Sequence, residues 1–239
     1  MNLLLWPGWL DYNNLNIFGK SLFQPEYCII KKAFEEKLPK DNIIRLFDNQ
    51  DEIMKLNISQ ISVVEEMSKS VADKSDIECK FYESAEDIPD PRDLSWDKKN
   101  LMVFDDLLLE KQNTCETYYV RGRHSNVDCF HLAQNYFKLP RQTIRENANF
   151  CCLFPQDLKN VNHIFEEHVS IDMTKEEFRN LCKTAWKDDH GFVVIDLASK
   201  NTAVGIEGVL IRSTYQTKIN KTIFIIKMEE LLKQIAINK

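Results

Sequence analysis

The sequence predicts an α/β fold with a mainly parallel sheet flanked by helices. Three observations predict the α/β class. Leu101 to Phe104, four apolar residues without alternation, and the apolar-rich stretches 149–154 and 192–197 suit strands buried on both faces of a sheet. Stretches with apolar residues at helical spacing separate them, which is the strand–helix alternation of a parallel sheet. Hydrophobic residues at 44% and charged residues at 28% belong to an ordinary globular protein and exclude a disordered one.

Taken in order, the elements read as follows. Residues 1–5 are the last turn of a helix stopped by Pro7 and Gly8, so the domain starts as if cut in mid-helix. Residues 14–18 are a strand. Gly19, Lys20 and Ser21 follow it, but a phosphate loop needs G-x-x-x-x-G-K-[ST] after a strand, and Asn14 holds the first glycine position. Pro25 would sit in the interior of the helix such a loop feeds, where it is costly. The triplet is therefore a strand end and a turn, with Pro25 in the first turn of the next helix. That helix covers 26–38. A short strand at 43–47, a helix at 58–71 and an edge strand at 79–82 come next. Residues 83–99, acidic and carrying Pro89 and Pro91, form a surface loop.

Past the strand at 101–104, residues 110–119 are a polar link or short helix. Arg121, Gly122, Arg123 and His124 make a basic loop. Asp128 caps a helix to 136 or 137, and Pro140 allows a short helix to 147. The strand at 149–154 ends in Pro155, Gln156 and Asp157. Helices at 160–169 and 174–188 follow, the second opened by a capping-box spacing, Thr174 to Glu177. Gly191 precedes the strand at 192–197. Residues 1–200 thus form the domain. Residues 201–239 are a basic extension with a terminal helix at 223–237.

The stretch that carries chemistry is 100–110. Four apolar residues, Leu101 to Phe104, end in Asp105 and Asp106. This is the form of a Walker B strand, in which the first acid holds Mg²⁺ and the second polarises the attacking water. Ligands of open α/β sheets sit at such carboxyl ends. An acidic turn after a strand is the plain alternative.

Bulk charge adds one fact. Residues 1–110 carry 13 Lys and Arg against 22 Asp and Glu, and residues 111–239 carry 18 against 15. A nucleic-acid partner would meet the second half. No apolar run approaches the roughly 18 residues a membrane span needs. Seven cysteines without framework spacing read as reduced thiols of an intracellular protein.

Three blocks in this order resemble the poxvirus-type DNA-packaging ATPases of the FtsK/HerA lineage, most nearly those of Maverick/Polinton elements and large DNA viruses. The first runs from Pro7, Gly8 and Trp9 through Phe18, Gly19, Lys20 and Ser21 to Tyr27. The second is Leu101 to Asp106. The third runs from Arg121, Gly122, Arg123 and His124 through Leu139, Pro140, Arg141, Arg145 and Asn147 to Leu153, Phe154, Pro155 and Gln156. The likeness covers residues 3–200 and implies a P-loop NTPase-like (ASCE-type) domain truncated at its first strand and phosphate loop.

The resemblance implies a motor that uses Mg-ATP to drive double-stranded DNA into a capsid. Its partners would be DNA, viral capsid proteins and further copies in a homo-oligomeric ring, in the nucleus or cytoplasm of a host cell and at no membrane. Asp105 would hold the metal and Asp106 the attacking water, although many relatives have Glu there. Arg123 would be an arginine finger on a neighbour's γ-phosphate, or else a surface residue that binds phosphate or carboxylate. Gln156 matches the family's polar sensor, or else is a strand-end turn residue. Arg141 and Arg145 would touch DNA backbone or stay solvated, the latter preferred. The family's phosphate loop precedes the helix that ends at 1–5, so the chain resembles such an ATPase with its first strand and phosphate loop removed. ATP binding by these residues alone is then doubtful, and a non-catalytic interaction subunit is the other reading.

A metal cluster finds no support. Cys129, His131, Cys151, Cys152, His163, His168, Cys182 and His190 lack the C-x₂₋₄-C form of a zinc site. A nuclease would want more spaced acids than Asp105 and Asp106.

Overall fold

Local chemistry sets most of the elements in the computed structural model, which describes residues 2–5, 10–48, 60–105, 107, 112–171, 173–187, 191–197, 209–212 and 223–227. The architecture is α/β, in two units. Among the described residues the first draws on Met1–Val103 and His124–Val127, and the second on Phe104–Arg123 and Asp128–Met228.

The first unit holds α1 (Asn2–Leu5), β1 (Asn14–Gly19), α2 (Pro25–Glu35), α3 (Lys40–Asp48), α4 (Gln60–Ser70), β2 (Glu78–Tyr82) and the start of β3 (Asn100–Asp105). β1 pairs in parallel with β2, from Asn14 opposite Glu78 to Phe18 opposite Tyr82. β3 lies on the other side of β1, so β2 is the edge of this unit, as predicted. Leu15, Ile17 and Phe18 of β1 and Leu101, Met102 and Val103 of β3 are buried.

Pro25 opens α2 behind the N-cap Gln24, the position where a missing N–H costs nothing. The helix ends in a Schellman motif. Leu38 N–H donates to Ala33 O at 2.9 Å and Lys37 N–H to Phe34 O at 3.0 Å. Leu38 is fully buried against the helix end. The motif forces its C′ residue into the left-handed region, and that residue is Lys37, at φ 57°.

The strand predicted at 43–47 is instead part of α3. The first turn closes on Pro39, whose carbonyl accepts from Asn42 N–H at 3.0 Å and Ile43 N–H at 3.2 Å. Ile43 and Leu46, three apart, are the buried pair. Five apolar-rich residues fit either period, and tertiary burial of one helical face decided. The 83–99 loop has one 3₁₀ turn, Pro91–Asp93, capped by Asp90.

Asn100 knots the unit. Its Nδ2 donates to Ser95 O at 3.0 Å, Lys98 O at 2.9 Å and Ser125 O at 3.4 Å. Its Oδ1 accepts from Asn14 Nδ2 at 2.8 Å. A 98% buried amide with each end engaged loses little by desolvation.

The second unit begins with the end of β3. It continues with α5 (Asn113–Arg121), β4 (Val127–Ala133, entered at Val127 from the first unit), β5 (Phe150–Leu153), α6 (Leu158–Ile164), α7 (Lys175–Ala185), β6 (Phe192–Asp196), β7 (Val209–Arg212) and β8 (Ile223–Lys227). The strand order is β4-β8-β5-β6-β7, and each of these pairings is antiparallel. The mainly parallel expectation thus gives way here. Strands inserted from late in the chain return along their neighbours.

Two predictions fail for that reason. Residues 128–133 are strand, not a helix capped by Asp128. Residues 223–227 are β8 and not the start of a terminal helix; residues 228–237 lie outside the described residues. Residues 127–133 and 223–227 are about ninety apart, and no local pattern reports their pairing. The short helix expected after Pro140 reduces to a 3₁₀ turn, Arg145–Asn147. The capping box is present: Thr174 Oγ1 accepts from Glu177 N–H at 3.3 Å and Glu177 Oε2 from Thr174 N–H at 2.8 Å. Trp186 Nε1 donates to Leu153 O at 3.1 Å and ties the end of α7 to β5.

His131 sits in mid-β4, fully buried beside Phe104, with neither ring nitrogen hydrogen-bonded among the described residues. Burial alone pushes its pKa down to about 4. The unfolded chain therefore binds a proton that the folded chain refuses as pH falls from 6.5 to about 4, and stability drops across that window. The loss is expected to reach roughly 3 kcal/mol by its lower end. Urea melts across this range should slope less in His131→Leu than in the parent. A second expectation concerns Lys37: Lys37→Gly should raise stability by about 1 kcal/mol, read from the denaturation midpoint.

Candidate functional site

In the second unit β4 and β5 run the same way, each antiparallel to β8 between them. Ala133 and Leu153 both lie opposite Ile223, so the carboxyl ends of β4 and β5 share one edge. Gln156 follows that edge. Its neighbour Asp157 caps α6, accepting from Asn160 N–H at 2.9 Å. Asn160, 5% exposed, donates from Nδ2 to Gln156 Oε1 at 3.2 Å and to Asp157 Oδ2 at 3.2 Å. Gln156 Nε2 and Asn160 Oδ1 are buried without a partner among the described residues. Gln156 is thus held by Asn160 of α6 through its oxygen, with neither Nε2 hydrogen spent among the described residues.

The remaining predicted residues fall as follows. Asp105 closes β3, half-buried, directly after the fully buried Phe104. Asp106 lies outside the described residues. Arg123 is exposed in the 3₁₀ turn Gly122–Ser125 that follows α5. Among the described residues Gln156 hydrogen-bonds Asn160 and neither Asp105 nor Arg123. Lys20 reaches Glu83 O at 2.7 Å, and Ser21 O accepts from Gln24 N–H at 3.1 Å. Gly19 to Ser21 therefore make a turn before α2 and not a cradle for phosphates, and these residues do not fit the triphosphate of Mg-ATP.

The opposite edge carries a site that the sequence did not single out. The N-terminal end of β5 meets the end of β6, where Phe150 lies opposite Asp196 and Leu197 N–H donates to Asn149 O at 2.7 Å. Beside it is an open cavity of about 280 Å³, with Ala148 and Leu197 as its apolar wall. Its polar lining comes from Arg141, Arg145, Glu146, Glu167 and His168.

Arg145 is the centre. It was expected to be solvated, yet its side chain is only 10% exposed. Nη1 donates to Glu167 Oε1 at 2.6 Å and Oε2 at 2.7 Å, and the guanidinium lies 4.7 Å over the Tyr136 ring. Tyr136 OH donates to Glu167 Oε2 at 2.6 Å and also meets His168 Nε2. With that hydroxyl proton spent on Glu167, His168 serves Tyr136 as the donor through Nε2–H. Burial, and then the Glu167 carboxylate, raise the Tyr136 pKa. Burial first, then Arg145 and Arg141, lower that of His168, against the pull of Glu167. The phenol and a neutral imidazole are thus the stable forms at neutral pH. Arg141 does stay exposed, with Glu146 3.2 Å from its Nε.

A π-turn presents Glu167 and His168. α6 widens at Phe165–Val169, closed by Ser170 N–H to Phe165 O at 2.9 Å. Phe165 and Val169 are buried and fix the turn. Such turns are frequent at functional sites. No sequence signal locates this cluster, since a pair 22 residues apart on a 3₁₀ turn and a π-turn follows neither period. Among the described residues, no group of three or more His, Cys, Asp or Glu is placed to hold a metal ion, and no helix is long and apolar enough to cross a membrane.

No family model, no curated protein and no solved structure matches the chain.

The buried pair sets a stability test. Glu167→Gln leaves a buried guanidinium without its counter-charge and should cost about 3–5 kcal/mol. Adding Arg145→Met to Glu167→Gln should recover most of that loss, and urea melts of the single and double variants check it.

Proposed function

We propose that the chain is the Walker-B-bearing part of an ATP-driven motor for packaging double-stranded DNA, and that it does not hydrolyse ATP by itself. In the complete motor Asp105 would hold the metal, Asp106 would orient the attacking water, Gln156 would face the γ-phosphate and Arg123 would reach a neighbouring subunit's site. The observation that carries it is β3: a strand buried from Asn100 to Phe104 that releases a half-buried carboxylate at its end, next to β1 in an α/β unit. The order of the three sequence blocks supports it, as does the spare donor of Gln156.

A second reading has its own observation. Lys20 is engaged by the Glu83 carbonyl, and the 239 residues contain no G-x-x-x-x-G-K-[ST]. Without backbone N–H groups on the phosphates, affinity for nucleotide collapses. The chain would then be an interaction subunit that joins related ATPase subunits or DNA without turnover.

Both readings expect millimolar MgATP to leave the melting temperature unchanged, because an unbound ligand adds no stability. MgATP hydrolysis by the chain that Lys20→Ala abolishes would overturn both. In-frame transcript sequence upstream of Met1 separates them. If it supplies a strand and a phosphate loop, the longer product should hydrolyse MgATP, and Asp106→Asn in it should abolish turnover while sparing nucleotide binding. Unchanged turnover in that variant removes Asp106 from the mechanism. If it supplies neither, co-elution with a full-length related ATPase supports the interaction subunit.

A further inference from the structure

β8 is a central strand that pairs with no strand close to it in sequence. It lies between β4 and β5 and runs antiparallel to both. Ile223–Lys227 stands opposite 129–133 on one side, and its first four residues stand opposite 150–153 on the other. Consecutive strands mostly lie side by side, yet β7, which precedes β8, sits at the far edge beyond β5 and β6. Three strand spacings, about 14 Å, separate the two. Residues 213–222 join them and can reach roughly 30 Å when extended. The tie between β8 and its own slot is thus a connection with length to spare, and not a hairpin turn. The slot itself demands a strand. β4 and β5 run the same way on either side of β8, so without it each would present an unpaired edge. Cys129, Phe130 and Ala133 of β4 and Phe150, Cys151 and Leu153 of β5 are buried, so the walls are apolar.

We propose that β8 is an exchangeable strand: the slot between β4 and β5 of one copy accepts Ile223–Lys227 of a second copy, giving a strand-swapped dimer. The pairing selects the occupant. Each copy has the same slot and the same strand, so pairing between copies repeats every backbone bond of the single chain in the same register. Reciprocal exchange leaves no edge open and closes as a two-fold dimer. The two forms differ in which slot residues 213–222 lead to, so protein concentration sets their ratio. The tether holds β8 near its own slot at an effective concentration on the order of 1 mM, and single chains therefore prevail in dilute solution. Neither Asp105 nor Gln156 takes part, so the exchange owes nothing to the nucleotide reading.

The test sets a new thiol opposite a native one. Lys227 pairs with Cys129, so Lys227→Cys puts two thiols across β8 and β4 at a separation that a disulfide accepts. Equal amounts of ¹⁵N-labelled and unlabelled full-length Lys227→Cys chain are unfolded together in urea. They are refolded at about 10 μM or about 1 mM and oxidised with diamide. Mass spectrometry reads whether the two halves of each linked peptide carry one isotope or two. At about 1 mM the mixed share should rise toward about half, the value for full exchange, and at about 10 μM it should stay near zero. Cys129→Ala in the same chain should remove this link. Phe224→Cys, opposite Cys152, gives the same reading if Lys227→Cys does not fold. Linked peptides of a single isotope at both concentrations mean that β8 keeps to its own slot, and overturn the proposal. Absence of the link in both variants means that β8 does not fill the slot, and overturns it as well. Peptides of residues 221–229 carrying Lys227→Cys, in native and in scrambled order, then probe the parent chain. Equal linking of both to Cys129 would mean a slot open to any strand and overturns the assignment to a second copy.

Discussion

A buried positive charge governs the second unit. Arg145 cannot lose its proton in a protein, so once nine-tenths buried it must be met by an opposite charge and by aligned acceptors. Glu167 supplies both oxygens, and Tyr136 supplies a ring face below and a hydroxyl that shares the carboxylate. Each partner comes from irregular backbone: a 3₁₀ turn for Tyr136, another for Arg145 and a π-turn for Glu167. The cluster therefore explains why the chain departs from regular helix at three places that the sequence does not mark. A hydrophobic trio would fill the space at least as stably.

The first unit solves a related problem with neutral groups. Asn100 enters β3 where the 95–98 loop, the start of β1 and the 125–126 turn converge. Its single amide meets three carbonyls and another amide. Every contact reaches backbone or an amide, so the knot is insensitive to pH. His131 behaves oppositely. With no hydrogen-bond partner among the described residues it can stay neutral only while the solvent is not acid, and the second unit inherits an acid sensitivity that the first unit's knot lacks. The two devices show why a buried polar side chain is informative only with its partners counted.

The proposed motor reading draws on the order of the three sequence blocks, and it asks most of Asp105 and Gln156. Asp105 stands where a buried strand ends, and Gln156 is restrained by Asn160 with a donor to spare. Gly19 to Ser21 stand outside that picture, because Pro25 starts α2 and Lys20 is held by a carbonyl. The same three residues in another backbone would be a phosphate loop. Here the strand runs on through Gly19.

Elements made by local chemistry were legible in the sequence alone. The continuous apolar runs of β3, β5 and β6, the Thr174 capping box and Pro25 at a helix start each rest on contacts within a few residues. The strand character of 128–133 and 223–227 was not legible, because each exists by pairing with chain about ninety residues away. Nor was the helix at α3, where five apolar-rich residues fit either period until burial chose Ile43 and Leu46. The Arg145 cluster was decided wholly by tertiary structure. Charge and exposure go together in a sequence, and only the arrival of Glu167 and Tyr136 from distant turns makes a buried arginine affordable.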